Sequence, residues 1–290
     1  MRYLARFLYL VVVLFLLIAI GKAAGPAVAE EYRPAVSSQG DMDYFVYLPL
    51  VHKAPNACEP IPGVSYLSLS VVDRYDPQKP PPENNPDYRL TLLGYYPVDK
   101  YKGIIDLGPS NDPEIPPQFT TLFEGQPTPP ILNTYQANGW DWDTHQPTTT
   151  TGTNPEVSVI GLQTSPRTIV RVPDGSRRIG DECGDGGCDA LVIYASQQEI
   201  ALKYTRDDRI SYPPPGNAGY TVYITGICVE PSLLALYQQK NAEGRAELPA
   251  VRGGQPIGRA WGGEIAVAIR DNGAFLDPRG CDGFWKGWCP

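Results

Sequence analysis

Histidine is scarce in this chain of 290 residues, which contains only His52 and His145. A catalytic zinc site needs three protein ligands and an open position for water, and histidine is a frequent ligand. Two histidines so far apart in sequence could meet at one metal only if distant segments came together. A serine triad would also depend on one of them, and nothing in the sequence locates a partner serine.

Short catalytic motifs are missing as well: the chain has no G-x-S-x-G, no P-loop and no C-x-x-C. Positive charge is also in short supply, with a formal net charge of -8. Residues 1–29 carry three basic side chains and no acid, so removing them leaves -11 for the remainder. Such a chain repels phosphate backbones, and we therefore expect no nucleic acid partner.

A long apolar run occurs near the N-terminus, from Phe7 to Ile20. It follows Arg2 and Arg6 and precedes the small-residue motif Ala27-Val28-Ala29, which together are typical of a secretory signal. The run is short for a bilayer core of about 30 Å. We predict that residues 1–29 are a cleaved signal and that the protein is extracellular or attached to the cell surface. An uncleaved N-terminal anchor is the alternative, and membrane contact is expected only in that case.

All six cysteines follow the predicted signal, and an even number in an oxidising compartment favours disulfides. Cys183 and Cys188 bracket the short sequence GDGG, and Cys281 and Cys289 could close the C-terminal segment. Cys58 would then pair with Cys228 by elimination. Six cysteines allow 15 pairings, so spacing alone leaves other connectivities open.

The sequence predicts an all-β fold in two parts. Residues 30–59 are expected to be a linker, and residues 60–153 a proline-rich β module with strands at Val64–Val72 and Tyr88–Tyr96 and no helix. Residues 154–290 are expected to form an antiparallel β domain with one inserted helix within Glu230–Leu248. Further strands are expected at Val157–Leu162, Thr168–Val172, Ala190–Ala195, Glu199–Thr205, Tyr220–Val229 and Glu264–Arg270.

Several segments of this second part have a familiar order. They are RTIVRVPDG from Arg167, ALVIYASQQEIALKYTR from Ala190, GGQPIGRA from Gly253 and EIAVAIRDNGAFLDP from Glu264. Over about 125 residues, their turns and strand spacing resemble the lysostaphin-type zinc metallopeptidases, which cut peptide cross-links in bacterial cell walls. The resemblance implies a lysostaphin-like antiparallel β domain.

The ligand positions implied by the resemblance are occupied by other residues. A histidine ligand and a histidine helper would stand two residues apart on the last strand, where this chain has Glu264 and Ala266. The tyrosine-x-histidine position is Arg206. The domain is therefore expected to be a degenerate form that lacks the zinc ligands, has no catalytic residue and binds no metal or cofactor.

The strand carrying Glu264 is expected to bury Ile265, Val267 and Ile269 on one face. Its other face would then carry Glu264, Ala266, Ala268 and Arg270, where the metal cleft would lie. Two outcomes are open for that face. The small alanines could leave a groove that still binds a ligand, or they could allow another element to pack against the sheet.

Two other segments could bind ligands. Trp140 and Trp142 stand beside Asp141 and Asp143, a combination suited to stacking on sugar rings and binding their hydroxyls, although a strand edge with a buried tryptophan is the alternative. The acidic sequence DECGDGGCD, from Asp181, could hold calcium, but its spacing does not match an EF-hand, and a disulfide-closed turn is favoured.

Three functions follow as hypotheses. The leading one is a secreted, non-catalytic cell-envelope protein, a pseudo-peptidase that binds cell-wall peptide or glycan, associates with itself or acts structurally. The second is a peptidoglycan endopeptidase with an unrecognised zinc site, which the histidine count opposes. The third is a subunit of an extracellular assembly.

Overall fold

The computed structural model describes residues 58–72, 79–108, 116–125, 129–149, 155–175, 178–210 and 219–289. All of these residues belong to one compact unit. The predicted signal, His52 and nearly all of the predicted linker lie outside the described residues.

The described residues form fifteen strands and three helices. The strands are β1 (Leu67–Ser70), β2 (Tyr95–Val98), β3 (Ile131–Ala137), β4 (Gly139–Asp141), β5 (Gln146–Thr148), β6 (Val159–Gln163), β7 (Ile169–Arg171), β8 (Ala190–Ala195), β9 (Glu199–Lys203), β10 (Tyr220–Thr225), β11 (Ile227–Val229), β12 (Glu247–Val251), β13 (Pro256–Ala260), β14 (Glu264–Asp271) and β15 (Ala274–Phe275). The helices are α1 (Leu90–Leu93), α2 (Pro231–Ala242) and α3 (Cys281–Phe284).

Most strands belong to one ten-stranded sheet in the order β1-β12-β8-β9-β10-β14-β6-β3-β2, with β15 paired to β14. Strands β11, β13 and β7 form a second sheet, and β4 and β5 form a separate hairpin. These strands pair in the antiparallel direction, for example β10 with β14 and β3 with β6. The expected all-β, antiparallel fold class is confirmed.

The proline-rich segment and the C-terminal segment share the large sheet. Strand β3, before residue 153, pairs with β6 after it, and β1 pairs with β12. The two parts that composition suggests at this point therefore lie within one compact unit. Residues 60–153 supply both outer strands of the sheet, β1 and β2.

Two predictions for residues 60–153, a strand at Tyr88–Tyr96 and the absence of a helix, are wrong in part. Residues 88–96 were expected to be extended, but α1 occupies Leu90–Leu93, and only Tyr95 and Tyr96 belong to a strand. The backbone N–H of Thr91 donates to the side chain of Glu199 rather than to a neighbouring strand. Gly94, with a φ of 76°, ends the helical turn and starts the strand.

The inserted helix is confirmed as α2. Pro231 occupies its first turn, and the Glu230 side chain caps it by accepting hydrogen bonds from the N–H groups of Ser232 and Leu233. The helix ends earlier than Leu248, because Gly244 and Arg245 adopt positive φ values of 90° and 60° and turn the chain into β12.

The apolar face of the large sheet follows the predicted alternation of β14. Ile265, Val267 and Ile269 are fully buried. Val267 lies opposite Ile224 and Ile160 on the neighbouring strands, and these side chains share one hydrophobic cluster with residues of the smaller sheet. The Asn-Gly pair after β14 forms a turn, since Asn272 and Gly273 both have positive φ between β14 and β15.

The other face of the large sheet is unusually polar, and we call it the polar face. It carries Glu199, Lys203, Thr221, Thr225, Glu264 and Arg270, which the strand register places on one side. Residues 79–94, here called the crossing segment, connect β1 at one edge of the sheet toward β2 at the other. Its backbone and side chains contact residues of β8, β9, β10 and β14.

Substitution of Gly258 on β13 is a test of the close packing in the smaller sheet. A Cβ atom there would overlap the backbone carbonyl oxygen of Cys228, which cannot move without displacing β11. We expect Gly258→Ala to lower the free energy of unfolding by about 2–3 kcal/mol, measured by urea denaturation. Gly262→Ala is the control, because a Cβ there has no neighbour within 4 Å. Equal stability of the two variants would contradict this packing.

Candidate functional site

Glu264 and Ala266 lie on the polar face, where their side chains stabilise the sheet. The Glu264 carboxylate accepts hydrogen bonds from Asn133 Nδ2 at 2.5 Å and from the Tyr135 hydroxyl at 2.7 Å. It lies directly above Gly161, where a Cβ would overlap it. Ala266 is buried. The carboxylate thus joins β14 to β3 across β6.

Two tyrosines, Tyr95 and Tyr135, also lie against this face. The hydroxyl of Tyr95 lies 3.4 Å from Thr225 Oγ1, and its ring packs edge-on against Tyr135 at 5.1 Å. Burial, followed by the hydrogen bond to Glu264, raises the pKa of Tyr135. Tyr135 therefore stays protonated and serves Glu264 as a hydrogen-bond donor.

The crossing segment supplies partners for two charged groups of the polar face, Glu199 and Arg270. Buried Glu199 accepts hydrogen bonds from the backbone and hydroxyl of Thr91, at 2.8 and 2.6 Å, and pairs with Arg89 at 3.4 Å. Arg270 pairs with Asp87 at 2.8 Å. Burial raises the pKa of Glu199, while the contacts from Thr91 and Arg89 oppose that rise. Of the two outcomes open for this face, the structure shows the second, a sheet covered by another element.

A buried ion pair fixes the crossing segment near helix α2. Asp208 Oδ2 lies 3.4 Å from Arg245 Nε, and both side chains are almost fully enclosed. The hydroxyl of Tyr88 donates to the backbone oxygen of Asp208. Arg245 also donates to the carbonyl oxygen of Ile193. Burial raises the pKa of Asp208 to about 6 although Arg245 lowers it.

The structure does not bring Arg206 to Glu264 and Ala266. Thr225 on β10 pairs with Ala266 on one side and with Glu199, the first residue of β9, on the other. Arg206 comes after Lys203, the last residue of β9. At roughly 3.3 Å per residue, the strand alone separates Glu199 from Lys203 by about 13 Å. Arg206 instead pairs at 3.2 Å with Glu182, next to the Cys183–Cys188 disulfide.

The two tryptophans lie on the β4–β5 hairpin, residues 139–148, here called the tryptophan hairpin. Trp140 packs against the hydrophobic core, whereas the Trp142 side chain is 47% exposed. Their ring centroids are 6.4 Å apart at 71°. Asp141 accepts hydrogen bonds from the backbone N–H groups of Asp143 and Thr144, and contacts with Thr144 lower its pKa. Trp140 is therefore structural, and Trp142 and Asp143 are the groups available to a ligand.

The structure contains the three disulfides that the spacing suggested: Cys58–Cys228, Cys183–Cys188 and Cys281–Cys289. No cysteine is free. This set of bonds is typical of proteins that mature in an oxidising, extracellular environment.

Acidic side chains of the disulfide loop, which spans residues 181–189, point to different partners. Glu182 binds Arg206, whereas Asp189 accepts a hydrogen bond from the backbone of Gly253 at 2.6 Å. Within the described ranges, a cluster with metal-ligand spacing does occur elsewhere, formed by Asp106, Asp282 and the disulfide-bonded Cys281 and Cys289. Only its two carboxylates remain as ligands, which is too few for a calcium site.

A cleft of about 310 Å³ lies at the β1 edge of the large sheet, and no sequence pattern predicts it. It is lined by Ser65, Tyr66, Leu67, Glu182, Cys183, Gly184, Ala250, Arg252 and Gln255. These residues come from three separate segments, so their proximity depends on the pairing of β1 with β12. The crossing segment was missed for a similar reason, because its partners lie more than a hundred residues away.

His145, the one histidine among the described residues, lies at the exposed turn of the tryptophan hairpin with a φ of 54°. In the part of the chain described, no helix combines the length and the apolar character needed to cross a membrane. Comparison with known proteins found no matching family model, no matching curated protein and no matching solved structure.

Proposed function

We propose that this protein is a secreted, non-catalytic protein of the cell envelope that binds cell-wall glycan. The main support is that side chains of the polar face are engaged in contacts within the protein. Glu264 and Ala266, which occupy positions of a histidine ligand and a histidine helper under the lysostaphin-type resemblance, take part in hydrogen bonding and packing. Their side chains stabilise the sheet, and neither supplies the imidazole that those positions would need.

The crossing segment supports the same conclusion. It places Asp87, Arg89 and Thr91 against the polar face, so that a peptide could reach the sheet only by displacing them. A cell-wall peptidase needs an accessible groove beside its reactive groups. Here the groove is filled by the chain itself.

Glycan binding is assigned to the tryptophan hairpin. Trp142 presents a half-exposed indole ring held edge-on by Trp140, and the exposed Asp143 follows it. An indole face stacks on the apolar face of a sugar ring, and an adjacent carboxylate accepts hydrogen bonds from hydroxyls. Because Trp140 packs against the hydrophobic core and contacts Trp142, the orientation of the Trp142 ring is partly fixed before a ligand binds.

The test is sedimentation of the protein, without residues 1–29, with purified peptidoglycan sacculi. We expect the unmodified protein to co-sediment and Trp142→Ala to weaken binding by about tenfold. Trp288→Ala is the matched control, because Trp288 is similarly exposed, at 44%, but lies in the C-terminal disulfide segment. Equal binding by the Trp142 and Trp288 variants would remove the glycan site.

The non-catalytic assignment is tested on the same sample. We expect no stoichiometric zinc by elemental analysis and no new peptide termini after incubation with sacculi. Stoichiometric zinc together with released peptides would overturn the assignment, whatever the outcome for Trp142.

A further inference from the structure

The cleft at the β1 edge is bounded by elements that are held in place. The turn at Arg252–Gln255 is fixed because Gln255 Oε1 accepts from the Arg252 N–H and Gln255 Nε2 donates to the Ser65 oxygen at 2.9 Å. The Tyr66 hydroxyl donates to the oxygen of Pro256 at 2.7 Å. The opposite wall is the loop closed by the Cys183–Cys188 disulfide.

The charges at the cleft favour an anionic group. Two charged side chains line it, Glu182 and Arg252. Glu182 is paired with Arg206 at 3.2 Å. Arg252 is exposed and makes no ion pair within the described residues. Among the side chains that line the cleft, Arg252 is therefore the one charge without an ion-pair partner, in a chain whose overall charge is negative.

The rest of the lining suits a small peptide. Leu67 and Ala250 provide apolar contacts, while Ser65 and Gln255 provide polar ones. A volume of about 310 Å³ is near the lower end of ligand pockets and corresponds to roughly ten water molecules. A dipeptide has a similar number of non-hydrogen atoms. A guanidinium group binds a carboxylate through two parallel hydrogen bonds.

We propose that this cleft binds the C-terminal carboxylate of a short peptide, with Arg252 holding the carboxylate and Leu67 and Ala250 contacting the last side chains. The site is separate from the tryptophan hairpin in sequence and chemistry. It does not depend on glycan binding, so either proposal can fail without the other.

The probe is the dipeptide D-alanyl-D-alanine, titrated into the uniformly ¹⁵N-labelled protein without residues 1–29 and followed by NMR. We expect saturable shifts of the amide signals of residues 65–67, 182–184 and 252–255. Arg252→Met should weaken binding at least about tenfold, because it removes a charge-assisted hydrogen bond. Added salt should also weaken binding. Lys286→Met, which removes the same charge from an exposed residue outside the lining, should leave the affinity unchanged.

A second ligand keeps the test independent of folding in the variants. The methyl ester of the same dipeptide has lost its negative charge and should bind the unmodified protein at least about tenfold more weakly. The proposal is overturned if the ester binds as tightly as the acid, if Arg252→Met binds the acid like the unmodified protein, or if the acid gives no saturable shifts.

Discussion

Replacing Cys58 and Cys228 together by serine is expected to lower the free energy of unfolding by about 4–5 kcal/mol. This disulfide closes a loop with a sequence separation of 170 residues, so its removal frees much of the unfolded chain. In the folded protein it also ties the first described residue to β11. Urea denaturation under non-reducing conditions measures the loss.

The Cys183–Cys188 bond provides the internal comparison. It spans only 5 residues, and chain entropy then predicts a loss of about 2 kcal/mol for the double serine variant. The loop also lines the peptide cleft, so this variant is expected to affect dipeptide binding more than stability. A loss equal to or greater than that for the Cys58–Cys228 pair would show that native contacts of the disulfide loop, rather than chain entropy, dominate.

Arg245→Met should lower the free energy of unfolding by about 3–5 kcal/mol at neutral pH. The substitution leaves the Asp208 carboxylate buried without a cation, and Asp208 Oδ1 already has no hydrogen-bond partner. Methionine keeps most of the side-chain volume, so the loss reports the missing charge and its hydrogen bonds rather than a cavity. Chemical denaturation of the two proteins at matched pH measures it.

The pH dependence distinguishes this mechanism from a general packing defect. Burial raises the pKa of Asp208 to about 6, above its unfolded value, so the folded protein binds this proton more tightly. The contribution of Asp208 to stability therefore falls as the pH rises from about 4 to about 6. Without Arg245 the pKa rises further, and the deficit of the variant should shrink when the pH is lowered from about 7 to about 5.

Lys240→Met serves as the control for Arg245→Met. Lys240 pairs with Glu243 and Glu247 at the protein surface, where ion pairs contribute little to stability. We expect a small effect with no recovery at low pH. A deficit for Arg245→Met that stays constant between neutral and acidic pH would contradict the role assigned to Asp208.

Local sequence patterns predicted the elements whose conformation is determined by residues close to one another in the sequence. The alternation of β14, the Asn272-Gly273 turn and the Pro231 start of α2 were readable because each is determined within a few residues. The cysteine pairs were also accessible, since two short spacings leave one remaining pair.

Contacts across the sheet could not be read in the same way. The run from Tyr88 to Tyr96 has the composition of a strand, yet Thr91 and Arg89 bind Glu199, more than a hundred residues later. Tertiary contacts of this kind override local β-propensity. Arg206 illustrates the same limit, because its pairing with Glu182 depends on how the disulfide loop packs rather than on its place after β9.

The two candidate ligand sites differ in the same way, because one depends on neighbouring residues and the other on distant ones. Trp142 is recognisable because neighbouring residues in one hairpin define its surroundings. The cleft around Arg252 gathers residues near positions 66, 183 and 252, and no local pattern connects them. Lysostaphin-like identity stays a prediction, since it depends on turns and strand spacing alone.

The pairing of β1 with β12 has a consequence for the order of folding. Leu67 finds its partner Ala250 only after nearly the whole chain is available, and the crossing segment likewise needs β9, β10 and β14. Contacts so distant in sequence make folding slow and leave apolar strands exposed until late. Strands β8, β9 and β10 can pair as they are synthesised, but β1 and the crossing segment must wait for strands that come later in the chain.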